Sequence, residues 1–267
     1  FSGGALSLDN NSTLDIKGKA TFTATNALIN HGSTAKIDNL ASYGSKIYVA
    51  NDSELEINKN ALFGNGAHLI IKDNSNTTIN GALTVENSIT IEFVNGEPVV
   101  NDGGIEIDKS DLNVVGEVKF DNSVAELNNS SNANFKNKLT LLDSAMLLKN
   151  GSRLEVGGVS DFRYSALVVQ NGSTAKIDNL INYESKIYVV NDSELEIKNA
   201  IFDVGTHLVV KDNSNTTINN DVLTVENSGT IELDNGSEIN VKGDFENHGV
   251  IYYGASADSA PKITVDG

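Results

Sequence analysis

The twelve residues "KIYVANDSELEI" (46–57) occur again as "KIYVVNDSELEI" (186–197), with Ala50 replaced by Val190 as the single difference. In both copies, apolar and polar residues alternate on either side of an Asn-Asp pair. This is the pattern of two short β-strands that each bury one face and are joined by a turn. The stretch therefore predicts a strand–turn–strand structure that occurs twice in the chain.

The copied region is longer than these twelve residues. Three further segments are identical at an offset of 139 or 140 residues: "GSTAKIDNL" (32–40 and 172–180), "KDNSNTTIN" (72–80 and 211–219) and "LTVENS" (83–88 and 223–228). The sequence therefore contains an internal duplication of about residues 31–96 and 171–236.

A shorter period runs through almost the whole chain. A turn residue is followed four and six positions later by residues that suit a buried strand face, and most steps between turn residues are 20 to 24 residues long. The turn residues are Asn10, His31, Asn51, Asp73, Asp108, Asn129, Asn150, Asn171, Asn191, Asp212, Asn235 and Ser259. A fixed period of this length, with three alternating segments in each repeat, is typical of β-solenoids.

We therefore predict an all-β fold: a single right-handed parallel β-helix over residues 1–267, with three strands per turn and about twelve rungs of roughly 21 residues. The inner column holds Leu, Ile, Val and Phe. Asn tolerates left-handed backbone angles, so the repeated Asn residues are expected to form the turns and to stack in hydrogen-bonded ladders.

One interval breaks the period. From Asp73 to Asp108 the chain takes 35 residues, and the extra length falls in "NGEPVVNDGGIEI" (95–107). Asn95-Gly96 is a hairpin signal, and Pro98 cannot donate a hydrogen bond within a central strand. The sequence predicts a protruding loop or hairpin near 95–107.

Composition excludes several classes of protein. The chain has no Cys, which rules out disulfides and thiolate metal sites. Its formal charge of −17 argues against nucleic acid and against anionic membrane surfaces as partners. The sequence begins at Phe1 without a signal peptide, so we expect it to be a fragment of a longer chain.

The outward pair Glu54 and Glu56 is a candidate for catalysis, because strand geometry places the two residues about 7 Å apart, a separation that suits glycoside hydrolysis. The same pair recurs as Glu194 and Glu196, without an Arg cluster or an aromatic platform around either copy. A motif repeated on a regular face favours a structural ladder. We therefore predict a protein that is not an enzyme, with no catalytic, metal or cofactor site.

Two sets of outward residues are candidates for binding. The first is a polar ladder on the first strand of each rung, in which acidic and basic side chains neighbour one another. Its members are Asp15, Lys36, Glu54, Glu56, Glu155, Lys176, Glu194 and Glu196. A solvated face that fixes the register of the rungs is the alternative interpretation of this ladder.

The second set is an apolar stripe on the third strand of each rung, and exposed stripes of this kind mark partner surfaces. Its members are Leu28, Tyr48, Ile70, Leu147, Val168, Tyr188 and Val209. The alternatives are stacking that stiffens the sheet, or an elongated loop that folds over the stripe.

The imperfect repeats of about 20 residues with an "NGSxLxI" pattern, the lack of Cys and the acidic, Asn-rich composition resemble the passenger domain of a Gram-negative autotransporter adhesin. The last residues, "NSGTIELDNGSEINVKGDFENHGVIYYGASADSAPKITVDG" (227–267), resemble the final passenger rungs of the AIDA-type self-associating autotransporters. The resemblance covers essentially the whole chain.

This resemblance implies export across the outer membrane, display on the bacterial cell surface, and a role in autoaggregation, biofilm formation or host attachment. The partners it implies are the same protein on neighbouring cells, or a host glycan or matrix protein. It implies membrane contact only through a C-terminal β-barrel that these residues do not include. Two alternatives remain: an adhesin of the two-partner secretion type, and a β-helical polysaccharide-degrading enzyme or phage tailspike.

Overall fold

The computed structural model describes residues 1–87, 91–94, 97–100, 104–220, 222–254 and 259–266, with the backbone alone for 91–94 and 97–100. All regular structure in these ranges is β-strand. The strands stack in parallel as a solenoid of about 11 turns, with about 21 residues per turn. Within the same ranges, no helix is long and apolar enough to cross a membrane.

Each turn of the solenoid has three faces, numbered here in chain order. Faces 1 and 2 are joined in five turns by a strand that continues around their shared corner. These five strands are β2 (Thr13–Thr23), β4 (Thr34–Tyr43), β20 (Arg153–Arg163), β22 (Thr174–Tyr183) and β24 (Glu194–Phe202).

In the other turns, faces 1 and 2 have separate short strands. Face 1 contains β6 (Glu54–Ile57), β9 (Asn76–Ile79), β14 (Asp111–Val114), β17 (Asn132–Phe135), β26 (Asn215–Ile218), β29 (Glu238–Val241) and β32 (Lys262–Val265). Face 2 contains β7 (Ala61–Gly64), β10 (Leu83–Glu86), β15 (Val118–Asp121), β18 (Leu139–Leu142), β27 (Val222–Val225) and β30 (Asp244–Asn247).

Face 3 is a separate sheet with 12 strands in the described residues. Its strands are β1 (Ala5–Leu8), β3 (Asn26–Ile29), β5 (Lys46–Val49), β8 (His68–Lys72), β13 (Gly104–Asp108), β16 (Val124–Asn128), β19 (Ala145–Leu148), β21 (Ala166–Gln170), β23 (Lys186–Val190), β25 (His207–Val210), β28 (Thr230–Leu233) and β31 (Val250–Tyr253). Each strand pairs in parallel with its equivalent in the next turn, which confirms the predicted fold class.

The interior is one continuous hydrophobic column. Alternate residues of every face point into this column. Among them, Leu55 and Ile57 of β6 are fully buried. Face 2 adds a series of buried Phe residues, among them Phe63, Phe120 and Phe162. Each side chain stacks on its equivalent one turn away, so the apolar contacts repeat along the whole axis.

The corner between faces 3 and 1 carries the predicted Asn ladder. Asn150, Asn171 and Asn191 have φ between 54° and 55°, in the left-handed region. The Asn171 side-chain amide donates to Asn150 at 3.2 Å, and that of Asn191 donates to Asn171 at 3.0 Å. The predicted Asn ladder is thus confirmed at these three positions. Near Asp108, the residue with a left-handed φ is instead its neighbour Lys109.

A second ladder, of buried Ser residues, explains the third position of the repeated "NGS" and "NDS" motifs. The Ser131 backbone N–H donates to Ser152 Oγ at 3.3 Å, and that of Ser152 donates to Ser173 Oγ at 3.1 Å. A matching series joins faces 2 and 3 through Ser123, Ser144 and Ser165. These hydroxyls accept hydrogen bonds from corner N–H groups that have no partner in a strand. The sequence pattern did not predict this serine ladder.

The excursion after Asp73 is a β-hairpin. Strand β11 (Ile91–Val94) pairs antiparallel with β12 (Glu97–Val100) in a two-stranded sheet of its own, and Phe93 lies opposite Pro98. The turn at 95–96 lies outside the described residues. The hairpin is confirmed, but the predicted bounds of 95–107 are wrong, because β13 rejoins face 3 at Gly104 through its alternating "GIEID" sequence.

The Ser ladder generates a test of stability. Replacing Ser144 by Ala leaves the buried Ser123 N–H without its acceptor, because Ser144 Oγ lies 3.2 Å from that nitrogen. We expect the free energy of unfolding to fall by about 1–3 kcal/mol. Urea denaturation followed by circular dichroism measures it, with the exposed Ser7→Ala as the matched control. Equal midpoints for both variants would contradict a stabilising ladder.

Candidate interaction surface

The predicted polar ladder forms a straight column on face 1. Asp15 pairs in register with Lys36, which pairs with Glu56 on its other side. In the second copy, Glu155, Lys176 and Glu196 occupy the same order. Glu54 and Glu194 lie on the same strands, two residues before Glu56 and Glu196, and are exposed.

Each lysine of this column binds the glutamate one turn further along. Lys36 Nζ lies 2.7 Å from Glu56, and Lys176 Nζ lies 2.6 Å from Glu196. The hydrogen bond to the Glu56 carboxylate raises the pKa of Lys36 above its ordinary value. The acid–base pairs predicted from spacing alone are thus formed.

The acid that precedes each lysine is bound differently from the prediction. Asp15 contacts Lys17 on its own strand at 2.9 Å, and Glu155 contacts Arg153 at 3.7 Å. The spacing of the repeat did not distinguish a partner on the same strand from one in the next turn. Both geometries place opposite charges on one face of the sheet.

The column in the second copy borders a groove of about 480 Å³. Its lining includes Glu155, Lys176, Glu196, Asp178 and Lys198. A second groove of about 320 Å³ adjoins it at Glu155 and is lined mainly by Asp111, Asn113, Asn132, Asn134 and Arg153. Carboxylates, amides and cations along one surface can both donate and accept hydrogen bonds to a partner.

The second groove was not predicted from the sequence. Two of its Asn side chains continue the acid–base column, since Asn113 pairs in register with Asn134, and Asn134 with Glu155. The outward position of the acid–base column, followed through the turns of Asn113 and Asn134, is the sequence signal that indicates this groove.

The apolar stripe lies in one column of face 3, as its outward positions predict. Leu28, Tyr48 and Ile70 are consecutive neighbours, and Leu147, Val168, Tyr188 and Val209 follow in the same column. Glu106 and Glu126 separate the two series.

The expected exposure of this stripe is wrong for four of its members. Leu147 and Val168 are 2% and 4% exposed, and Ile70 and Val209 are also buried. Leu147 and Val168 form an outer hydrophobic cluster with Val124, Ala145 and Ala166, against which Tyr188 packs. A side chain that points away from the core is therefore still enclosed where small and branched neighbours crowd the same face.

Leu28, Tyr48 and Tyr188 retain exposed surface, Leu28 with 36%. Partner binding at these three residues stays a prediction.

Face 2 carries an exposed apolar patch that the sequence analysis missed. Its side chains come from four consecutive turns: Val159 is 41% exposed, Ile181 37%, Ile201 55% and Val222 44%. Beside it, the rings of Tyr164 and Tyr183 meet edge to face with centroids 5.8 Å apart. A hydrogen bond to Glu184 raises the pKa of Tyr183 to about 12.

In the part of the chain that the structure describes, no three His, Asp or Glu side chains come together as a site for a metal ion. The arrangement on faces 1 and 2 is that of extended surfaces, built from one residue per turn. Such surfaces suit contact with a large partner.

Comparison of this chain with protein-family models, with curated proteins and with solved structures found no match.

The face 1 column predicts a salt-dependent effect on stability. Lys176→Glu would place three carboxylates in consecutive turns, because Lys176 lies between Glu155 and Glu196. We expect the free energy of unfolding to fall by about 1 kcal/mol at low ionic strength, and by less in 1 M salt. Urea denaturation at both salt concentrations measures the change.

Lys176→Gln is the matched control for this variant, because it removes the attraction to Glu196 without adding a repulsion. Its expected loss is about 0.2–1 kcal/mol. If Lys176→Glu and Lys176→Gln lost the same free energy at both salt concentrations, the charges of this column would not interact.

Proposed function

We propose that this chain is a bacterial cell-surface adhesin whose solenoid rod mediates self-association or host attachment through its outward columns. The observation that carries the proposal is the face 1 column, in which the same order of charges is built in both copies of the duplication. The resemblance to autotransporter passengers supports the cell-surface location.

The rod suits adhesion for a physical reason. Turns spaced about 4.8 Å apart give the 11 turns a length of about 55 Å, along which each face repeats its contacts. A single exposed ion pair contributes only about 0.2–1 kcal/mol. Many such contacts on one rod, and many rods on one cell, add up through effective concentration.

The dense negative charge also shapes the contact. A net charge of −17 makes two rods repel at long range, so the surfaces that meet need local complementarity. The face 1 column provides it, because Lys36 and Lys176 alternate with carboxylates and can face the carboxylates of a partner.

The test is display of the chain on bacterial cells that do not clump. We expect displaying cells to aggregate and the aggregation to weaken as salt rises, because exposed charge pairs are screened. The measurement is settling of the culture together with microscopy. Absence of clumping, with binding to a glycan or matrix protein instead, would replace self-association by host attachment.

The column itself is tested with a charge-matched pair of variants. Lys36→Glu with Lys176→Glu should reduce aggregation several-fold, because both lysines of the column then repel their neighbours. Lys19→Glu with Lys136→Glu makes the same change in net charge at two exposed positions outside the column. Equal loss in both variants would show that total charge, and not the column, controls adhesion.

A further inference from the structure

The two grooves of face 1 adjoin and form one path along the rod. In the turn of β20, the larger groove is lined by Glu155 and Gly157, and the smaller one by Arg153 and Glu155. Together the two grooves cross six consecutive turns, those of β14, β17, β20, β22, β24 and β26. Six turns span about 24 Å along the axis. A path of this length suits an extended polymer.

The larger groove lies at a corner that side-chain contacts hold in the first copy of the duplication. In that copy, Asp38 Oδ1 accepts a hydrogen bond from the Asn58 amide at 3.0 Å, and Asp38 Oδ2 accepts one from the Gly18 backbone N–H at 3.0 Å. The hydrogen bond from Asn58 lowers the pKa of Asp38 below its ordinary value. Both carboxylate oxygens of Asp38 are therefore occupied by groups of the chain itself.

The second copy keeps this carboxylate and changes its neighbours. Asp178 is equivalent to Asp38, but Lys198 takes the place of Asn58. One turn earlier, Gly157 stands where Lys17 precedes the first copy. Asp178 and Lys198 both line the larger groove, and among the described side chains neither forms a hydrogen bond or an ion pair. The second copy therefore presents an available carboxylate and an available ammonium group in the groove.

The charges of the two grooves favour a neutral occupant. The carboxylates that line them are Asp111, Glu155, Asp178 and Glu196. The cations are Arg153, Lys176 and Lys198. Four carboxylates and three cations leave one negative charge, whereas the whole chain carries −17. An anionic polymer would gain little attraction in the grooves and would be repelled by the rest of the rod.

A glycan chain matches the spacing of the turns. One ring of an extended glycan advances by a distance close to the turn spacing of about 4.8 Å, whereas an extended peptide advances only about 3.3 Å per residue. Successive rings can therefore meet equivalent positions of successive turns. A peptide would lose this match after one or two residues.

The lining of the grooves also suits the two kinds of surface that a sugar ring has. Ring hydroxyls both donate and accept hydrogen bonds, so carboxylates, amides and ammonium groups can all bind them. Between the polar groups of the larger groove lie Val156, Gly157 and Ile177, which bring no polar side chain and can face the C–H groups of a ring. Apolar lining with a few polar groups is typical of ligand sites.

We propose that the two grooves of face 1 act as one site for a neutral, extended glycan chain, with successive rings on successive turns. In the larger groove, Asp178 accepts hydrogen bonds from ring hydroxyls and Lys198 donates to them. In the smaller groove, Asn113 and Asn134 are neighbours in register and offer amides to further rings. Each contact is weak, so the affinity depends on how many rings bind at once.

This inference rests on the attachment role in the proposed function and assigns a ligand class to it, and it does not require self-association. The test is isothermal titration calorimetry of the purified chain with cellohexaose and with N-acetylchitohexaose, two neutral chains of six rings. We expect at least one of them to bind. Its trisaccharide should bind at least about tenfold more weakly, because three rings fill only part of the path.

The second-copy corner is tested by giving it the residue of the first copy. Lys198→Asn offers Asp178 the amide partner that Asn58 gives Asp38, and it removes the ammonium donor. We expect hexasaccharide binding to weaken at least about tenfold, since hydrogen bonds to charged groups are lost. Lys19→Asn is the matched control, because it makes the same replacement at an exposed position outside both grooves. Circular dichroism checks that both variants are folded.

The outcomes separate the glycan site from the proposed function. If neither neutral hexasaccharide binds, or if only a heparin hexasaccharide does, the inference is wrong, and clumping of displaying cells would still support adhesion. If Lys198→Asn and Lys19→Asn bind the hexasaccharide equally well, the site does not lie in these grooves. If the purified chain binds the hexasaccharide through Lys198 but displaying cells neither clump nor attach, the glycan site stands and the adhesive function fails.

Discussion

The structure depends on one interaction: the backbone hydrogen bonds that join each strand to its equivalent in the next turn. Because Leu55 pairs with Ala35 on one side and Thr77 on the other, every position of the repeat is stacked on itself. The corners maintain this register where strands end, through the Asn ladder outside and the buried Ser ladder inside. A change that shifted one turn would misalign both ladders and the apolar column together.

The same stacking creates the candidate interaction surfaces. When a residue type recurs at one outward position, its side chains form a column in which neighbours are about 4.8 Å apart. The column on face 1 is charged, and the one on face 2 is partly apolar. Within the duplication of about 65 residues, Lys36 and Glu56 of the face 1 column recur unchanged as Lys176 and Glu196. Face 2 differs between the copies, because Ala41 and Leu62 of the first correspond to Ile181 and Ile201 of the second.

Prediction from sequence succeeded where the period of two decides the direction of a side chain. The inward positions of face 1, the neighbours of Lys36 and the left-handed Asn residues all follow from local patterns, and all are confirmed. It failed for Leu147 and Val168, because direction away from the core does not determine exposure. The buried Ser ladder was also missed, since a serine in a turn motif usually indicates solvent.

The face 2 patch could not be read from the repeat for a specific reason. A register shift follows Val156, so β20 uses one more residue than β22 to pass from face 1 to face 2. One such residue changes which side chains align between turns and which point outward. Val159 and Ile181 therefore belong to one surface only once the strands are paired.

The sequence by itself determined the period, the inner column and the charge order of face 1, because each depends on residues close together in the chain. The tertiary structure decided which outward side chains stay exposed and how the columns of face 2 align. Those properties depend on neighbours from turns about 21 residues apart, and on the local bulges that set their register.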